Sequence, residues 1–62
     1  MATYFHVYEH GTDKHVDTIS TNKTGRMKDR LEMGIMQRVD LDRFLVVESE
    51  EPDPARARMQ EG

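Results

Sequence analysis

Sixty-two residues without a cysteine allow one domain with a small core, since a chain this short buries only about 60% of the surface its unfolded form exposes. It has neither a disulfide nor a Cys/His zinc staple to add to that core, so packing, a partner or self-association must supply the stability. Apolar content of 35% against 34% charged residues, with a net charge of −3, excludes a membrane-spanning run and a generally basic nucleic-acid coat, and fits an ordered body with a loose end.

The chain opens on a hairpin signal. Thr3 to His10 and Lys14 to Ser20 are strand-like runs around Gly11-Thr12, and glycine at the first central position suits a two-residue type II′ turn. That turn aligns Glu9 with Lys14, Val7 with Val16 and Phe5 with Thr18 on one face. On the other it aligns His10 with Asp13, Tyr8 with His15, His6 with Asp17 and Tyr4 with Ile19. The first face reads as core and the second as an aromatic and histidine surface.

Ser20 to Gly25 is a cluster of turn and capping residues, and a helix is predicted from about Thr24 to Gln37. Met27, Leu31 and Ile35 recur at four-residue steps as its buried stripe, with Gly34 beside them where the helix could approach a sheet. Met33 and Met36 project from the opposite side, where methionine adapts to an uneven partner. After the connector Val39 to Asp42, the run Phe44-Leu45-Val46-Val47 within Arg43 to Glu50 reads as a third strand.

The predicted architecture is a small α+β domain of ββαβ order over residues 1–50. Its three-stranded, mostly antiparallel sheet has strand order 2-1-3, because large side chains on both faces mark the first strand as central. One helix packs on one face. Residues 51–62 are expected to form a flexible acidic, proline-containing tail, although Asp53-Pro54 has the form of an N-cap and first helical residue.

One helix cannot cover both sheet faces, so the second should present Tyr4, His6, Tyr8 and Ile19 as an open interaction patch. His6, His10 and His15 share that face, but His6 and His10 lie roughly 13 Å apart at ~3.3 Å per residue, too far to share an ion. No metal or cofactor is expected, and cross-strand His-Asp pairs are the plainer reading. On the helix, Lys23, Arg26 and Arg30 form a basic flank. Arg26 and Arg30 repel each other at i, i+4, and cations in the first turn oppose the helix dipole; tolerance of both costs suits the holding of an anion or an acidic protein. Charge is segregated along the chain: residues 14–38 carry net +3 and residues 39–53 net −5. The acidic stretch Asp40, Asp42, Glu48, Glu50, Glu51 and Asp53 could imitate phosphates if its members aligned.

No nucleophile and base, paired carboxylates or phosphate loop stands in a convincing place, so an enzyme is the least favoured class. The expected function is a cytoplasmic, non-enzymatic protein-binding module, acting through Tyr4, His6, Tyr8 and Ile19 on the sheet or Arg26, Arg30, Met33 and Met36 on the helix. A homodimer fits the small core, and no membrane association is expected. Small cysteine-free chains of this kind are frequent among viral and mobile-element proteins that inhibit or redirect a host machine, and that role is an expectation by analogy. The competing class is a nucleic-acid binder in which Tyr4 and Tyr8 stack on bases and Lys14, Lys23, Arg26 and Arg30 meet phosphates.

Overall fold

In a computed structural model, which describes residues 2–61 and side chains as far as Met59, the chain runs β1 (Thr3–Glu9), β2 (His15–Thr21), α1 (Gly25–Arg38), β3 (Phe44–Ser49) and α2 (Pro54–Glu61). The sheet is antiparallel throughout in the order β2-β1-β3. Central β1 supplies both faces: Phe5 and Val7 point to α1, while His6 and Tyr8 point the other way, and all four are buried. Strand alternation then sends Phe44, Val46 and Glu48 of β3 to the α1 face, and Leu45, Val47 and Ser49 to the opposite one.

The hairpin differs from its expected pairing at two places. The loop is four residues long: the Glu9 N–H donates to the Lys14 carbonyl (2.8 Å) and the Asp13 N–H to the Glu9 carbonyl (2.9 Å). Gly11 and Asp13 both take positive φ, +91° and +57°, conformations open to glycine and tolerated by aspartate. The His10 N–H bonds the Arg43 carbonyl (2.9 Å) rather than closing a two-residue turn. Further on, Tyr8 faces His15 and Val7 faces Asp17, leaving Val16 as the extra residue of a β-bulge. Beyond the bulge the register moves by one, so Phe5 faces Ile19, His6 faces Thr18 and Tyr4 faces Ser20. Ile19 therefore lies on the α1 side of the sheet, not on the aromatic face.

Helix α1 begins after Thr24, which is extended but makes no side-chain cap. Its buried stripe is narrower than Met27, Leu31 and Ile35: only Ile35 is fully buried and Leu31 is half-buried, while Met27 is 61% exposed. A Cβ added at Gly34 would have no neighbour within 4 Å, so that glycine borders open space and is not a point of close helix-to-sheet contact. The loop to β3 is tied by Asp40, whose carbonyl accepts from the Arg43 and Phe44 N–H groups (3.0 and 2.9 Å) and whose Oδ1 accepts from the Asp42 N–H (3.0 Å).

The region expected to be a loose tail forms α2. Asp53 caps it as its sequence suggests, Oδ1 accepting from the Ala55 N–H (2.9 Å) and its carbonyl from the Ala57 N–H (2.9 Å), with Pro54 at the first helical position. α2 lies over the sheet face opposite α1 and buries Ala57 there. The fold is thus a thin three-layer sandwich of helix, sheet and helix.

Candidate functional site

The face that sequence reasoning leaves open is closed by α2. Tyr8 is 1% exposed and His6 is fully buried. The Tyr8 hydroxyl donates to the Pro54 carbonyl, the His6 Nε2 bonds the Glu51 carbonyl (2.6 Å), and the Arg58 guanidinium sits 5.5 Å over the Tyr8 ring. Arg58 also pairs with Asp13 at 3.1 Å, tying α2 to the hairpin loop. Neither His6 nor Tyr8 is available to a partner while α2 is in place. Tyr4, at the end of the same row, is half-buried.

Beneath α2 the rings form a continuous layer. Tyr4 and His6 stack with centroids 5.9 Å apart, and His15 meets both His6 (6.2 Å) and Tyr8 (5.8 Å) edge-on. The expected His-Asp pairs are absent here because the bulge brings Thr18, not Asp17, opposite His6. Thr18 Oγ1 lies 2.9 Å from His6 Nδ1 and 2.6 Å from His15 Nε2. A carbonyl only accepts, so His6 carries a proton on Nε2 for Glu51; in the neutral ring its Nδ1 accepts from the Thr18 hydroxyl, and His15 donates to that oxygen. His10 is elsewhere, its Nε2 3.2 Å from the Leu41 carbonyl. Among the described residues no three His, Asp or Glu side chains are placed to hold a metal ion.

The acidic stretch does not form a row. Glu48 faces α1 and pairs with Lys28 (3.2 Å), Asp40 ties the loop before β3, Asp53 caps α2, and the Glu51 backbone holds His6. On the Lys28 side of α1, Glu32 stands beside Glu48. A hydrogen bond with Glu48, then burial, then the charges of Glu48 and Asp29 raise the Glu32 carboxyl above its ordinary range against the opposing effect of Lys28.

Besides a hollow of about 590 Å³ between α2 and the hairpin, bordered by Tyr8, Asp13, His15 and Arg58, open space lies on the other side of α1, along edge strand β2. There the helix and strand leave a groove of about 520 Å³ lined by Ile19, Leu31, Gly34, Ile35 and Val39 with Asp17, Arg30 and Arg38 at its rim. It continues into a second hollow of about 590 Å³ that adds Val7, Val16 and Phe44. The bulge builds this apolar floor: Val16 and Ile19 are three residues apart and could not share a face of a regular strand, yet both line the α1 side here. Gly34 supplies the opening in the helix wall.

Of the residues singled out from sequence, Ile19 is on the floor of the groove, and Arg26 and Arg30 are exposed on the flank above it. Met33 is 60% exposed on the outer surface of α1, and Met36 is half-buried. Ile19 and Arg30 are thus brought together, but around a groove rather than on an open sheet. Gly34, Arg38 and Val39 were missed as site residues; the signal for Arg38 was its place in the four-residue series Arg26, Arg30, Gly34, Arg38, one flank of a helix.

No described helix is long and apolar enough to cross a membrane. The chain matches no protein-family model, no curated protein and no solved structure with which it was compared.

Proposed function

We propose that this chain is a non-enzymatic, cytoplasmic protein-binding module whose contact surface is the groove between α1 and β2. The observation that carries the reading is the groove itself. After α1 and α2 have covered the two sheet faces, Ile19, Leu31, Ile35 and Val39 still border an open hollow, which is unusual for apolar side chains in so small a core. The concave surface is apolar below and charged at the rim, the layout of a recognition site. A role as inhibitor or modulator of a larger machine, viral or otherwise, is compatible with such a surface and rests on analogy of size. The nucleic-acid reading loses one of its two stacking platforms, because Tyr8 lies under α2.

Gly34→Leu tests this assignment. It fills the opening with a side chain that favours the helix over glycine and meets nothing within 4 Å at its Cβ, so the fold should be retained or strengthened. Affinity capture from lysate with wild type and variant, each checked by circular dichroism, should recover proteins with wild type that the variant does not retain. Capture of the same proteins at the same yield by both would overturn the groove as contact surface.

A further inference from the structure

We infer that the partner of the groove is an acidic protein segment carrying an apolar anchor, the anchor entering beside Gly34 and its flanking carboxylates meeting Arg30 and Arg38. This rests on the groove being the contact surface and adds the chemistry of what fills it.

The argument is one of charge left uncompensated. Arg26, Arg30 and Arg38 stand at four- or eight-residue steps on one flank of α1, with Gly34 completing the row, and all three arginines are exposed. Like charges at i, i+4 weaken a helix, and Arg26 lies in a first turn that has no acidic residue, where a cation opposes the dipole. An intramolecular acid could offset this, as Glu48 does for Lys28 and Asp13 for Arg58. None does so for these three: among the described residues Arg26, Arg30 and Arg38 make no ion pair or side-chain hydrogen bond. Asp17 lines the groove itself, its Oδ1 accepting from the Thr18 N–H (2.8 Å), and Glu9 and Asp40 line the continuation, but among the described residues none of these acids forms an ion pair with the arginine row.

Guanidinium groups are suited to carboxylates because their paired donors match the two oxygens. Two of the three, Arg30 and Arg38, rim a cavity with an apolar floor, so charge and burial coincide at one place. A strand added to β2 is the poorer fit. The bulge at Val16 interrupts that edge, and Asp17 occupies the Thr18 N–H, both of which discourage further pairing. The occupant is therefore held by side chains, through its anchor and its acids.

Random-peptide display on the folded full chain tests this directly, with enriched peptides re-measured by fluorescence anisotropy. The expected consensus places Asp or Glu on either side of Leu, Ile, Met or Phe. Binding should fall roughly ten- to hundredfold in the double variant R30E/R38E, weaken with salt in wild type, and be lost in Gly34→Leu. Neutral or basic peptides that are lost in Gly34→Leu would keep the groove and overturn the acidic partner. Failure to enrich any peptide would overturn the inference, as would enriched peptides that bind Gly34→Leu undiminished, the latter removing the groove as well. A second copy is the occupant instead if wild type self-associates in sedimentation and R30E/R38E does not. Tight binding of an oligonucleotide, lost in R30E/R38E, would show the row to serve phosphates and also overturn the inference.

Discussion

Thr18 shows how much one hydroxyl can decide. It stands between His6 and His15, and the His6 ring it satisfies is fully buried under α2. Thr18→Val keeps the shape and removes the hydrogen bonds, leaving the His6 Nδ1 without a partner in a buried site, which costs about 1–3 kcal/mol. Thr18→Ser, which keeps the hydroxyl, should recover most of that in urea melts. Equal loss in both variants would mean that the methyl group matters and not the hydroxyl. Glu32 gives a second prediction, on pH. Its carboxyl is raised above its ordinary range mainly through Glu48, so the folded state holds the proton more firmly than the unfolded one. Stability contributed at low pH is then lost as pH rises from the ordinary glutamate range through the raised value. Glu32→Gln should flatten that decline and be at least as stable as wild type at pH 7; an unchanged slope in melts between pH 4 and 7 would contradict it. Neither role was legible in the sequence. A strand register counted from the turn puts Asp17 opposite His6, and no local pattern announces that Glu32 and Glu48 will meet.

Among the elements, the strands and the first helix follow from local pattern, because alternation and capping act over a few residues. β1, β2, α1 and β3 lie within a residue or two of where sequence places them, and the strand order follows from β1 having bulky groups on both faces. The departures come from longer-range competition. Pairing counted outward from Gly11-Thr12 cannot anticipate a bulge, yet the three-residue spacing of Val16 and Ile19 held the clue: both are apolar, and only an extra residue lets both face α1. On α1 the four-residue stripe is real but begins a turn late, Met27 standing exposed in the first turn. Leu31→Ala should accordingly cost about 1–3 kcal/mol, less than for a fully buried leucine. Met27→Ala and Met33→Ala should each change stability by under about 0.5 kcal/mol, as expected for exposed sites. A loss at Met27 matching that at Leu31 in denaturant melts would restore the longer stripe.

At the scale of the whole molecule, the least legible feature is that α2 belongs to the fold. α2 has no apolar stripe to advertise it: among its described side chains only Ala57 is fully buried. What holds it is mostly polar and distant in sequence, the Tyr8 hydroxyl on the Pro54 carbonyl, His6 on the Glu51 carbonyl, and Arg58 shared between Tyr8 and Asp13. These contacts link residues 45 to 50 positions apart, so no window read along the chain contains both partners. They also make β1 the shared wall of two shallow cores, with Phe5 and Val7 serving one and His6 and Tyr8 the other. Sequence alone suggests that a chain ending at Glu50 folds by itself; the structure argues for the opposite outcome. Removing residues 51–62 would strip the carbonyl acceptors from His6 and Tyr8 and expose that face, at about 1–3 kcal/mol for each polar group no longer satisfied where it stays buried, with the lost apolar burial added. A domain with total stability on the order of 5 kcal/mol has little to spare, so the truncated chain should lose its cooperative thermal transition and its near-ultraviolet tyrosine signal together. If it instead melts cooperatively within a few degrees of the full chain, α2 is an accessory cover, and the aromatic face formed by Tyr4, His6 and Tyr8 becomes a surface that the protein can open.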